Sequence, residues 1–382
     1  MDHRAIIAGG GTGGHLYPAL NLAEALARRA KRGGESIDVL LVGAQRGVEA
    51  RVLAERGVPH RLLPLEPIHR SRPWRNWRLV PSAFASSRAI LRLFREFEPD
   101  LVVGTGGYAA GPVVAWALLR GLPTAIQEQN SYPGLTTRWL APYVDQIHLG
   151  YGEAMRMLWP GPNTDVRVHG NPIRWPEERP HPEVVRQEFG LGPGRVVLVI
   201  GGSQGAAPLN EALLAALGVM NAGRLPPLPA DAQLLWATGP AHFKEVRRRL
   251  EPLRGRVAVR TVPYISEVER ALSITSLAVS RAGALALSEL CAWGVPSVLV
   301  PLPHAAADHQ RMNARSLAAD GAAVVVEERD MRNDPGSLWQ TIVHLLQGAT
   351  LLEEMGAASQ ARGRPRAADA IADDLWRLME DR

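Results

Sequence analysis

A single cysteine in 382 residues, Cys291, has no partner to cross-link, which excludes a disulfide framework and fits a reducing compartment. No apolar run is long enough to cross a bilayer, and the first residues lack the apolar core of a secretory leader, so neither is expected. Lysine is nearly missing: Lys31 and Lys244 stand alone, and every other member of the 43 basic residues is arginine. That bias follows genome composition or temperature and says little about function. No Asp-x-Asp pair occurs and no Cys/His cluster has the spacing of zinc ligands, so no metal or other cofactor is expected. What remains is an ordinary globular composition, 46% hydrophobic and 21% charged with a net charge of +5, on a chain long enough for two cores.

Short β-rich runs alternate with helical patterns. The strand candidates are 5–8, 39–42, 101–103, 124–127 and 146–149, with helices between most of them, such as 83–97 and 112–119. After Gly170-Asn171-Pro172 and a stretch rich in Pro, Glu and Arg the pattern restarts, with strands at 196–200, 234–237, 257–262, 277–280, 297–300 and 323–326. Such alternation predicts two doubly wound α/β domains, Rossmann-like and facing each other across a cleft, with the break at about 171–182. "VLVIGGSQGA" (197–206) echoes "IIAGGGTGGH" (6–15): an apolar strand, glycines, then a helix.

Gly9, Gly11 and Gly14 have the G-x-G-x-x-G spacing of a dinucleotide site. Such a site needs an acidic residue at the end of the second strand, and "DVLLVGAQRG" (38–47) ends on Gly43, Ala44 and Gln45. A dehydrogenase therefore becomes a minor reading. Three more glycine turns follow strands, in "VVGTGGYAAGP" (102–112), "VIGGSQGA" (199–206) and "SRAGALALSE" (280–289). Any one of them is equally an ordinary tight turn. Four at strand ends favour phosphate and nucleotide binding, because glycine lets amides approach a ligand and a following helix adds its positive end. In the last turn a helix should begin near Ala284, with Glu289 placed to hold a ribose, or simply solvated.

"GGGTGGHLYPAL", "GTGGYAAGP", "QEQNSYPGLT", "GNPIR", "GGSQGA", "RAGALALSEL" and "DHQRMNA" follow one another along the chain. In this order they resemble the MurG family, bacterial transferases that add N-acetylglucosamine to lipid-linked N-acetylmuramoyl-pentapeptide. The resemblance implies a GT-B type fold. It also implies a first domain (1–170) that binds acceptor and membrane and is joined by a returning C-terminal helix (about 365–382), and a donor domain (171–364). It departs from the family at Gln127, where His is common, and at Ala286, where Thr is common.

Several residue roles follow from the resemblance. For UDP-N-acetylglucosamine it implies Arg174 and Ser203 on the nucleotide side, with Ile265 against uracil. Ala284, Leu285, Ala286, Leu287 and Ser288 would offer amides to the diphosphate, Glu289 would hold the ribose, and Gln310 and Asn130 would reach the sugar. Thr12, Gly13 and Gly14 would hold the diphosphate of the undecaprenyl-linked muramoyl-pentapeptide and border the donor, with Gly106, Gly107 and Tyr108 completing the acceptor pocket. His15 is either the general base or a phosphate ligand; His304 and His309 are weaker candidates.

"HRSRPWRNWRLVPSAF" (69–84) sets Arg72, Arg75 and Arg78 among Trp74, Trp77 and Leu79. It reads as a docking segment for an anionic inner-membrane surface, or as a buried helix with solvated arginines. No motif points to nucleic acid. The expectation is a peripheral, inverting glycosyltransferase on the cytoplasmic side of the membrane, with room for cell-wall assembly proteins as partners. The alternatives are a UDP-sugar epimerase or another glycolipid transferase of the same fold, and a non-catalytic nucleotide-sugar-binding scaffold.

Overall fold

In a computed structural model of the chain the described residues are 2–47, 49–66, 79–202, 204–253, 257–303, 308–334 and 336–381. They form two compact units, Met1–Arg174 with Arg366–Arg382, and Trp175–Pro365. The first carries seven strands: β1 (Asp2–Gly9), β2 (Ser36–Ala44), β3 (His60–Leu63), β4 (Leu101–Gly106), β5 (Thr124–Glu128), β6 (Gln146–Leu149) and β7 (Asp165–Arg167). They pair in parallel in the order β3-β2-β1-β4-β5-β6-β7. The second unit carries β8 (Arg195–Ile200), β9 (Ala232–Ala237), β10 (Ala258–Val262), β11 (Leu277–Ser280), β12 (Ser297–Leu299) and β13 (Ala323–Val325). These too are parallel, in the order β10-β9-β8-β11-β12-β13.

This is the doubly wound architecture expected from the alternation. All six residues of β4 are buried, as are the four of β11, because a parallel strand is covered on both faces. The expected strands are present with ends shifted by a few residues. The sequence reading missed β3 and β7, which are short edge strands with charged residues: Arg61 in the first, Asp165 and Arg167 in the second. Charge on an edge opposes further pairing and also erases the apolar pattern by which a strand is recognised.

In each sheet the strand order reverses at one point, between β1 and β4 and between β8 and β11. Chain leaving two such strands turns to opposite faces and opens a crevice at their carboxyl ends. Loop 10–12 and the direct strand-to-helix junction at Gly106–Gly107 lie there in the first unit, and residues 201–202, 204–206 and 281–283 in the second. The glycine motifs therefore occupy the switch points of both sheets.

Helix Gly13–Gly33 covers the first sheet with Leu16, Leu22 and Leu26 against Ile7 and Val103. Helix Ala367–Glu380 packs on the same cluster through Ile371, Leu375 and the fully buried Trp376. The second core is built around Trp236 and Trp339, also fully buried. Helix Gly107–Leu119 begins five residues before the expected start at Pro112, so Gly107 and Tyr108 lie in its first turn and not in a loop. Pro112 is carried inside the helix, where it leaves one carbonyl of the first turn without its usual donor. Among the described residues no helix is long and apolar enough to cross a membrane.

Candidate active site

The glycine turn after β1 is gripped by a carboxylate that the sequence reading missed. Strand β2 itself ends without an acidic residue, but Glu49, at the start of helix Glu49–Arg56, turns back into the space beside it. Its Oε1 accepts the N–H of Ala44 at 2.9 Å and of Gly11 at 3.0 Å, and Oε2 lies 2.9 Å from the Gly11 nitrogen. Glu49 is fully buried, and a Cβ on Gly10, Gly43 or Gly47 would fall within 2.5 Å of its side chain. The glycines thus make room for a carboxylate of the chain's own. The signal lies in "GAQRGVE", two glycines and a glutamate just after a strand, but only the folded helix shows which way that glutamate turns.

Thr12 is extended and opens helix Gly13–Gly33, its carbonyl accepting the N–H groups of His15 and Leu16, both at 3.2 Å. The N–H groups of Gly13 and Gly14 have no acceptor among the described residues. His15 is half-buried, and its ring lies on the second glycine turn: a Cβ on Gly106 would meet Nδ1 at 2.8 Å, and one on Gly107 would meet Cδ2 at 3.2 Å. Gly106 and Gly107 also have φ of 99° and 76°, a region that side chains rarely adopt. His15 Nδ1 lies 3.1 Å from the Thr105 carbonyl and 2.9 Å from Gln129 Oε1, while Nε2 has no partner among the described residues. Tyr108 lies against Gly11, whose Cβ would approach Cε1 to 2.8 Å. Burial raises its phenol pKa, with the charges of Glu49 and Glu66 adding. Asn130 donates through its backbone and side-chain nitrogens to the buried Glu128, which also accepts from Gly134 and Thr137. Arg174, exposed, is the last residue of the first unit before the chain crosses to the second.

In the second unit a cleft of about 640 Å³ opens at the switch point, lined by Gly201, Gly205, Arg281, Ala286, Gln310 and Glu328 among others. Helix Ala284–Ala292 starts there, with Gly283 extended before it. The first-turn N–H groups of Ala284, Leu285 and Ala286 are left open by the helix. That of Leu287 is engaged by the Gly283 carbonyl at 3.0 Å, and the Ser288 hydroxyl turns back to Ala284 O at 3.0 Å. Glu289 is half-buried, and its carboxyl group has no hydrogen-bond or ion-pair partner among the described residues. Desolvation, with the nearby charge of Glu269, pushes its pKa up to about 8. Gln310 Oε1 accepts the Leu302 N–H at 2.9 Å, which identifies the other end as NH₂. It follows Asp308, a non-glycine residue at φ 56°. Ile265 is buried, so its backbone is what it offers a ligand. The buried pair Arg281–Glu328, 2.8 Å apart, was not anticipated; Arg281 also donates to the carbonyls of Val300 and Pro301. Ser203 and His304 fall outside the described residues, as do Arg72, Trp74, Arg75, Trp77 and Arg78; Leu79 opens helix Leu79–Phe97.

One group among the described residues brings three potential metal ligands together: His148, His169 and Asp374. Its members come from distant parts of the chain, so the sequence hid it. Asp374 accepts from His169 Nε2 at 2.6 Å, and also from the guanidinium groups of Arg167 and Arg377. Two guanidiniums on the one carboxylate oppose a further cation. Burial drives the pKa of His148 down to about 3, holding it neutral.

Known proteins match the chain over most of its length. Residues 5–149 match the glycosyltransferase family 28 N-terminal domain, and residues 196–371 match the family 28 C-terminal domain. The UDP-N-acetylglucosamine–N-acetylmuramyl-(pentapeptide) pyrophosphoryl-undecaprenol N-acetylglucosamine transferase of Moorella thermoacetica is 38% identical over 385 residues, covering 99% of each chain. The Bacillus licheniformis protein of the same name is 36% identical, with 98% of each chain covered. Among solved structures, Acinetobacter baumannii MurG superposes with a TM-score of 0.72 at 26% identity, over 98% of this chain and 99% of that one. The chain belongs to the MurG family of glycosyltransferase family 28.

Proposed function

We propose that this MurG-type N-acetylglucosamine transferase of peptidoglycan synthesis binds its lipid acceptor on the first unit and its UDP-sugar on the second, with His15 as the general base. One observation carries the reading. Each unit has a helix N-terminus with open amides at its switch point, Gly13–Gly14 in one and Ala284–Ala286 in the other. Such ends receive phosphates.

In the second unit the open amides take the UDP diphosphate, and Glu289, a turn and a half along the same helix, takes the ribose hydroxyls. Ile265 meets uracil through its backbone, Ser203 and Arg174 serve the nucleotide, and Gln310 and Asn130 donate to sugar hydroxyls. In the first unit Thr12, Gly13 and Gly14 face the acceptor diphosphate, in a pocket completed by Gly106, Gly107 and Tyr108. The acceptor 4-hydroxyl oxygen bonds to the anomeric carbon from the side opposite UDP, and configuration inverts. The hydroxyl proton passes to His15 Nε2, and the electron pair of the breaking C–O bond leaves with UDP. Leaving-group charge is met by the amides, the helix end and Arg174, so no metal is invoked.

Peripheral attachment at the cytoplasmic face is the companion proposal. Residues 70–84 supply tryptophan and arginine, and Trp139, Tyr143 and Trp159 of the same unit are 62–74% exposed. Aromatic rings of this kind favour the membrane interface.

Turnover of UDP-N-acetylglucosamine with a lipid-diphosphate muramoyl acceptor tests the whole reading. His15→Ala should lower kcat by about 100-fold or more with acceptor KM near normal. A raised KM with intact kcat makes His15 a phosphate ligand, and no change in either removes it from the site.

A further inference from the structure

The oxygen and nitrogen ends of a side-chain amide are told apart by their partners. In the first unit a series of such amides begins at a group that cannot be turned around. The backbone carbonyl of Gln129 can only accept, and Asn171 Nδ2 donates to it at 3.0 Å. Asn171 Oδ1 is therefore the acceptor that faces Gln127 Nε2 at 3.1 Å. Gln127 Oε1 then accepts from Gln129 Nε2, which lies also 2.8 Å from the Thr105 carbonyl and 2.9 Å from the Gln127 carbonyl. Three acceptors around one end of Gln129 fix that end as NH₂. Its Oε1 is left pointing at His15 Nδ1, 2.9 Å away, with the Thr105 carbonyl 3.1 Å from the same nitrogen. Two oxygens that carry no proton face one ring nitrogen.

We infer that Gln129, oriented by Asn171 and Gln127, is a positioning residue that holds the proton of His15 on Nδ1 and leaves the lone pair on Nε2. Rotating any amide in the series would set like ends together. Gln127, Gln129 and Asn171 are each at most 2% exposed, so no water relieves the mismatch. The series is packed as well as bonded: a Cβ on Gly150 would lie 2.2 Å from Asn171 Oδ1. Because Gln129 is neutral, it aims the imidazole without adding the negative charge that a carboxylate partner would bring.

The inference rests on His15 as the base, and the test separates the two. Imidazole ¹⁵N shifts of the full-length protein at pH 8, with the His15 signals assigned by their loss in His15→Asn, should show one tautomer, protonated on Nδ1. Gln129→Met removes one of the two oxygens. It should bring in the second tautomer and lower kcat roughly tenfold, with acceptor KM within about twofold. A wild-type imidazole protonated on Nε2 overturns the inference, and so does a Gln129→Met protein with unchanged shifts and kcat. If that variant does not fold, the wild-type spectrum alone decides. An Nδ1-protonated His15 in an enzyme that keeps its kcat as His15→Ala overturns the base and leaves the tautomer assignment standing.

Discussion

Glu289 has a carboxyl group that finds no partner among the described residues and whose pKa desolvation raises to about 8. Its effect on stability therefore has the sign opposite to that of a salt-bridged carboxylate. Between its ordinary value near 4.5 and about 8 the folded chain holds a proton there that the unfolded chain has lost, so stability falls as pH rises through that window. Glu289→Gln, which cannot ionise, should match wild type in melting temperature at pH 4 and exceed it at pH 8. Equal melting curves at both pH values would mean that the carboxyl is not desolvated. Ribose hydroxyls donating to Glu289 favour its ionised form, so donor binding near pH 7 should release a proton. Calorimetry in buffers of different ionisation enthalpy reads that release directly. Glu289→Ala should weaken the donor by roughly 1.5–3 kcal/mol, the range for a hydrogen bond to a charged group.

At the scale of elements, the glycines that the sequence offers as phosphate loops prove to have a second use. Gly106 and Gly107 seat the His15 ring, and Gly10, helped by Gly43 and Gly47 from the end of β2 and beyond, makes room for Glu49. Gly106→Ala should displace the imidazole and lower kcat at least about tenfold, since a misplaced base forfeits much of its contribution. Donor affinity, read by calorimetry, should stay as in wild type. Gly121 is the control: its φ is 68° but nothing lies within 4 Å of an added Cβ. Alanine there brings backbone strain of about 1–2 kcal/mol without touching the site, so kcat should hold. The contrast shows how far the sequence could be read. Alternation of apolar runs and helical patterns was enough for the doubly wound sheets, and the glycine motifs fell at their switch points. Charged edge strands β3 and β7 carried no such pattern. The contacts that organise the site, Glu49 to Gly11 and Gln129 to His15, join positions 38 and 114 residues apart. They depend on which way a side chain turns, which spacing along a chain does not record.

For the molecule as a whole, the proposed work is to bring a soluble nucleotide-sugar to a lipid-borne acceptor. Docking through the basic, tryptophan-containing segment would place the acceptor unit at the surface, with about 1 kcal/mol from each arginine near anionic lipid, screened by salt. Replacing Arg72, Arg75 and Arg78 by glutamate and Trp74 and Trp77 by serine should abolish sedimentation with anionic vesicles while UDP-sugar binding persists. Vesicle binding equal to wild type would place the docking surface elsewhere. The returning helix adds a matter of timing. Residues 1–174 are translated before the second unit, yet the cluster of Leu16, Leu22 and Leu26 is closed by Ile371, Leu375 and Trp376, which are translated after it. The second unit, continuous from Trp175 to Pro365, has all its residues before that happens. During synthesis the unit begun earlier is finished later, and the floor beneath the His15 helix is laid only when helix Ala367–Glu380 emerges.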